Sequence, residues 1–154
     1  MSAVAETEGS AAFTEYGEAL AAAAVEAHTG DRAQLGETLI GTFLKFWDDP
    51  QLRPQLLEKY RAAFTSETGA AEMRHFMSSG LFAQAVGKLD DPPKNIEEVA
   101  KLLGVPPLQV NAAVSQVMGV IMLRYVVKVE PIASAAPEEI RAIIAPTVQR
   151  YLVG

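Results

Sequence analysis

No cysteine occurs in this 154-residue chain. That excludes a disulfide framework, a thiol nucleophile and any zinc site built on thiolates. Histidine is scarce, with His28 and His75 the two copies. Basic residues are few and scattered: 13 Lys and Arg against 19 Asp and Glu give a net charge of −6. A duplex-binding surface announces itself as a basic patch or stripe, and the chain carries no such cluster. The longest uninterrupted run built on large apolar residues is Val117 to Leu123, far short of the roughly 18 that a membrane span needs. Residues 1–12, MSAVAETEGSAA, lack the basic and apolar regions of a secretory signal and are expected to form a flexible tail. The expectation is a cytoplasmic protein with no membrane association.

What the chain does have is apolar surface. Almost half of it, 49%, is hydrophobic, which excludes disorder for the whole and suits one domain over 13–154 with a substantial core. The alanine-rich run 13–28 predicts a helix, closed by Thr29-Gly30-Asp31. From Arg32 to Asp48, Leu35, Leu39, Phe43, Phe46 and Trp47 recur at helical spacing until Asp48-Asp49-Pro50 breaks the pattern. Pro54 to Phe64 sets Leu56, Tyr60 and Phe64 four apart. Thr68 to Lys88 carries Met73, Phe76, Met77, Leu81, Phe82 and Val86, with an irregularity at Ser78-Ser79-Gly80. Asn95 and Glu98 are spaced as a cap and its capping-box partner, opening a short helix that Gly104 ends. Pro137 begins a last helix with Ile140, Ile143, Ile144, Val148, Tyr151 and Leu152 on one stripe, and Pro146 inside it predicts a kink. No segment alternates with period two. The fold class is all-α, a bundle of six or seven helices.

The most demanding stretch is Leu108 to Pro131. As one helix it spans about 24 residues and about 35 Å. Between Ala112 and Val129 its strongly polar residues are Ser115, Gln116, Arg124 and Lys128, which form no single wide wet face. A helix this apolar must be covered on more than one side. One side faces the protein's own core; the other asks for a twin. The prediction is an isologous homodimer built on residues 107–130 and 136–152. Val114, Val117, Ile121, Tyr125, Ile140, Ile143, Ile144, Val148 and Tyr151 are the expected interface.

Chemistry-bearing constellations are sparse. Asn95 to Asn111 has the order of a helix-turn-helix, yet no Arg or Lys lies between Pro106 and Leu123 to hold phosphates or read bases. That segment is therefore expected to be a buried corner between two helices. Glu72 and His75 have the Glu-x-x-His spacing of a di-iron bundle, but a bundle site needs a second copy. No glycine spacing matches a phosphate-cradling loop or a nucleophile elbow. No catalytic residue, metal or cofactor is assigned. The stronger candidate is a pocket for a small hydrophobic or aromatic molecule. Phe43, Phe46, Trp47, Tyr60, Phe64, Met73, Phe76 and Met77 lie on neighbouring helices, and Met118 and Met122 of the long helix can face them. His75, Gln84, Gln116 or Tyr125 could orient a guest. Aromatics with flexible methionines make adaptable, mostly apolar sites. An ordinary filled core is the competing reading, and in that case the chain is a dimeric protein-interaction module with no small ligand.

Several ordered motifs carry a family resemblance. They are Phe46-Trp47-Asp48-Asp49-Pro50 with Arg53-Pro54, Gly104-Val105-Pro106, Ser115-Gln116-Val117-Met118-Gly119, Leu123-Arg124-Tyr125-Val126, Val129-Glu130-Pro131-Ile132-Ala133-Ser134 and Ala145-Pro146-Thr147-Val148-Gln149-Arg150-Tyr151-Leu152-Val153-Gly154. Together they make residues 31–154 resemble the C-terminal regulatory domain of TetR-family transcriptional regulators. The resemblance implies a helical domain that binds a small, often hydrophobic, effector. It also implies that the last two long helices pair with their mates as a dimeric four-helix bundle. In that family DNA is bound by a three-helix N-terminal domain, and 12 residues ahead of Phe13 are too few for one. DNA contact is therefore expected only through a domain absent from this chain.

Overall fold

The computed structural model describes residues 11, 12, 14–20, 22, 23, 30–80 and 94–153. Among these residues there are seven α-helices and no strand. Helix α1 contributes residues 14–20, with 11, 12, 22 and 23 also helical, and buries Ala12, Tyr16 and Ala23. Of the tail expected over 1–12, residues 11 and 12 are helical and Ala12 is buried; residues 1–10, the rest of the helix expected over 13–28, the apolar positions Leu81, Phe82 and Val86, and Gln84 lie outside the described residues.

Helix α2 (Leu35–Trp47) is the centre of the fold. A 3-10 turn, Arg32–Gln34, leads into it, with the Ala33 amide donating to the Asp31 carboxylate at 2.9 Å. Its buried side is Leu35, Ile40, Phe43, Leu44, Phe46 and Trp47, close to the predicted stripe. Beyond the break, Asp49 accepts from the amides of Gln51 and Leu52 at 2.8 and 3.2 Å, an Asx turn that starts α3 (Arg53–Thr65). Ser66 then caps α4 (Glu67–His75) by accepting from the Gly69 amide at 2.9 Å. Helix α4 runs on as a π turn, Phe76–Gly80, at the irregularity predicted from its Ser-Ser-Gly.

Helix α5 (Ile96–Leu103) opens on the Asn95 cap, whose side chain accepts from the Glu98 amide at 2.9 Å. The Glu98 carboxylate reaches back to the Lys94 amide at 2.8 Å, one residue before the cap. Gly104 closes the helix at φ +76°, a left-handed conformation that costs glycine little. Helix α6 (Pro107–Val120) follows at 105° to α5 and continues as a π-helical segment, Ile121–Val126. The corner is not buried as expected. Its inner residues Ala100, Val110 and Ala113 are, but Pro107, Leu108 and Gln109 face solvent, Leu108 at 76% exposure. Helix α7 (Pro137–Val153) completes the chain, with Pro146 inside it.

The long apolar helix also ends earlier than predicted. It closes at Val126 rather than running to Pro131, through bonds from the Val127 amide to the Met122 carbonyl and from Val129 to Leu123, both 2.8 Å. The Arg124 side chain donates to the carbonyls of Ile132 and Ala135 at 2.8 and 2.7 Å, drawing the loop back over the helix end. No single described helix is long and apolar enough to cross a membrane.

Helices α2 and α7 cross closely. A Cβ on Gly36 would sit 2.4 Å from the Ala145 carbonyl oxygen. Gln149 of α7 clamps the start of α2 by accepting from the Gly36 amide at 2.7 Å and donating to the Arg32 carbonyl at 2.8 Å. Helix α6 packs on both α5 and α7, while α3 pairs with α4. Gly36→Ala should therefore overpack this crossing and destabilise the chain by about 1–3 kcal/mol in urea melts. Gly41→Ala on the same helix, where a Cβ meets Arg141 at an ordinary 3.8 Å, should instead stabilise by up to about 1 kcal/mol through helix propensity.

Candidate functional site

The last turn of α2 gathers aromatic rings from several elements. Trp47 is 0% exposed. Around it stand Tyr60 of α3 (ring centroids 5.1 Å apart, 75° between planes), Tyr125 of the α6 π segment (5.4 Å, 30°), Phe43 one turn earlier (6.2 Å, 39°) and Tyr16 of α1 (6.3 Å, 85°). Tyr16 also meets Phe46 at 5.7 Å. Offset and edge-to-face pairs of this kind add about 0.5–1.5 kcal/mol each beyond the area they bury. Four elements thus converge on one indole.

The polar atoms of this cluster are held in a dry setting. Burial pushes the Tyr16 hydroxyl well above the usual tyrosine range, the Trp47 indole offsetting a smaller part. Burial raises Tyr60 likewise, with Tyr16 adding to the effect. The indole N–H of Trp47 faces the Tyr16 hydroxyl, the interaction that offsets part of its rise.

Next to Trp47 the chain turns polar, and Asp48 binds three donors. Tyr125 Oη donates to its Oδ1 at 2.7 Å, and Arg124 donates from Nε to Oδ1 at 3.2 Å and from Nη2 to Oδ2 at 3.3 Å. Arg124 Nη1 serves the two loop carbonyls already described. The Arg124 side chain is 8% exposed and that of Asp48 26%. Burial works against the Arg124 charge, but Asp48 outweighs it and holds the guanidinium above its ordinary value. The Tyr125 hydroxyl is raised by burial first and then by Asp48, with Arg124 opposing. Arg53 completes the arrangement from α3. It donates from Nε to the Trp47 carbonyl and from Nη2 to the Asp48 carbonyl, both at 2.8 Å. Its guanidinium centre lies 5.4 Å from the Tyr125 ring centroid, and that of Arg124 lies 5.6 Å away.

The expected pocket residues divide. Phe43, Phe46, Trp47, Tyr60 and Met73 join one buried cluster, with Phe76, Met77 and Met118 half-buried against it. Gln116 and Met122 are half-buried on α6. Phe64 is 68% exposed and His75 is exposed, so neither sits in the cluster. At about 100° per residue, Phe64 stands about 80° round α3 from Leu56, and His75 about 200° round α4 from Met73. The expected dimer face divides too. Ile121, Tyr125, Ile140 and Val148 are buried within the single chain, turned to its own core. Val114, Val117, Ile144 and Tyr151 are half-buried, and Ile143 is 71% exposed.

Tyr16, Asp48, Arg53 and Arg124 were not named from the sequence as members of this site. A legible signal for two of them exists: Arg124 interrupts an apolar helix, and a buried guanidinium requires a carboxylate. Among the described residues no three His, Asp or Glu side chains gather to hold a metal ion. Asp48→Ala strands Arg124 and Tyr125 together and should cost about 3 kcal/mol in chemical denaturation, against about 1 kcal/mol for Tyr125→Phe. The double substitution should cost less than the sum, because both remove one shared bond.

With this geometry in place, known proteins supply a frame. The family model described as the tetracyclin repressor-like C-terminal domain matches residues 33–152. A crystal structure of a TetR-family regulator from Streptomyces coelicolor A3 is similar in fold, with a TM-score of 0.55 and 23% identity over 92% of this chain and 86% of that one. No curated protein matches. The family match spans most of the chain, from the turn before α2 to the last turn of α7, and the chain belongs to the family of tetracyclin repressor-like C-terminal domains.

Proposed function

We propose that this regulatory domain senses a small hydrophobic effector at the aromatic cluster around Trp47 and dimerises through the exposed sides of α6 and α7. It acts in the cytoplasm, and DNA contact is made by a separate DNA-binding domain. One observation carries the reading. Trp47 and Asp48 are neighbours in the chain, and Tyr125 touches both, by ring contact at 5.4 Å and by hydrogen bond at 2.7 Å. A guest that shifts Trp47 or Tyr125 therefore acts on the clamp holding the end of α6 and its loop. The effector biases two arrangements of that end, by no more than its differential affinity for them.

Dimerisation is supported by apolar surface left over on the same elements. Leu108, Leu123, Val126 and Val127 of α6 and its end, and Ile143 of α7, are exposed. A Cβ on Gly119 would meet nothing within 4 Å, leaving room for close helix approach. This face replaces the buried residues first expected there. The complete burial of Trp47 favours a second reading, a dimeric interaction module with a filled core and no small ligand.

Trp47 emission and the melting temperature should respond to at least one compound of a broad aromatic and lipid-like library. Indifference to all of them decides for the second reading. In sedimentation at micromolar concentration the chain should be a dimer, and combined Leu123→Asp and Ile143→Arg should shift it towards monomer. A stable monomer of the natural chain sinks the dimer.

A further inference from the structure

Among the described residues Arg124 is the one buried charged side chain. A buried ion pair adds little stability over well-packed apolar side chains, because its attraction mostly offsets the water it loses. What apolar side chains cannot do is grip backbone in fixed directions. The Arg124 guanidinium does so: Nε and Nη2 donate to the two Asp48 oxygens, and Nη1 donates to the carbonyls of Ile132 and Ala135. It thereby joins the end of α2, the end of α6 and the loop that leads into α7.

The helix end and the loop carry the exposed side chains Leu123, Val126, Val127 and Val129, all close to Arg124 in the chain, and Ile143 stands exposed on α7. On the inner side, Ile132 and Ala135 pack against the core. Helices α6 and α7 pack on each other directly, so what remains to be fixed is the path from Val126 to Pro137. Its local bonds, from the Ala133 amide to the Val129 carbonyl at 2.8 Å and from Ala135 to Pro131 at 3.0 Å, set its shape. The two Arg124 bonds tie that shape to α6.

We infer that Arg124, held by Asp48, is the positioning residue of the dimer-forming face, so that association depends on a charge pair inside each protomer. This rests on the dimer reading above and needs no small ligand. A self-complementary face shared by two chain segments works only while the segments keep a fixed relation. With the loop already ordered by the clamp in the single chain, its ordering no longer opposes association.

Sedimentation equilibrium of the whole chain, with a urea melt of each protein, gives the test. Asp48→Asn keeps an acceptor for Tyr125 and removes the charge that holds Arg124. Arg124→Lys keeps the pairing with Asp48 and loses the planar fork that reaches two carbonyls. Each should raise the dimer dissociation constant about tenfold, within the range by which side chains remote from a binding face modulate it. Ile40→Val, in the core about two turns before Asp48 on α2, lowers stability without touching the clamp and should leave the constant unchanged. Natural and clamp-variant dimers of equal strength overturn the inference while the dimer stands, because core packing and local turns then hold the face. Equal weakening by Ile40→Val also overturns it, since association would then follow general stability. A monomeric natural chain removes the dimer reading and this inference with it. Where a clamp variant loses its helices, hydrogen exchange of the natural chain diluted to monomer decides. The amides of Val127, Val129, Ala133 and Ala135 should stay protected there; rapid exchange overturns the inference, because the partner rather than Arg124 would then order the loop.

Discussion

The carboxylate of Asp48 ties the two halves of this domain together. It sits at the end of α2, the most buried helix, and receives donors from Arg124 and Tyr125, 76 and 77 positions later. Removing a guanidinium from water is expensive unless a carboxylate and further acceptors receive it. Arg124 finds all of them, the two Asp48 oxygens and the carbonyls of Ile132 and Ala135. The same bonds set where α6 stops and how the loop before α7 folds back. One ion pair thus fixes the end of one helix, the start of the next and the place of Tyr125 against Trp47.

Around that pair the packing is aromatic rather than aliphatic, and this has consequences for function. Tyrosine and tryptophan bring large apolar faces but each keeps one polar atom that must be answered or paid for. Tyr125 is answered by Asp48, and the Trp47 indole N–H faces the Tyr16 hydroxyl. The π-helical stretch Ile121–Val126 carries both Arg124 and Tyr125 to this region.

Much of the helical layout was legible residue by residue. The stripe of α2, the break at Asp48-Asp49-Pro50, the Asn95 cap, the Gly104 stop and the Pro137 start all follow from bonds made within a few positions. The site was half legible. Phe43, Trp47 and Tyr60 share helical periodicity with the core they join, but Phe64 does not: spacing of four drifts off a 3.6-residue turn, and its ring lies in solvent. Ile121, Tyr125, Ile140 and Val148 were correctly apolar-facing but assigned to the wrong neighbour, because burial against one's own chain and against a twin leave the same pattern.

The sequence by itself determined the helical class, most helix ends, the scarcity of basic charge and the family, since caps, turns and periodicity depend on residues close along the chain. Tertiary structure decided which faces turned inward, where the long helix stopped, and that Asp48 would meet Arg124 beneath the Trp47 cluster. Those outcomes depend on contacts between positions far apart, whose partners exist only once α1, α2, α3 and α6 have packed. A carboxylate after a tryptophan looks like a helix terminator until the arginine that needs it arrives from another helix.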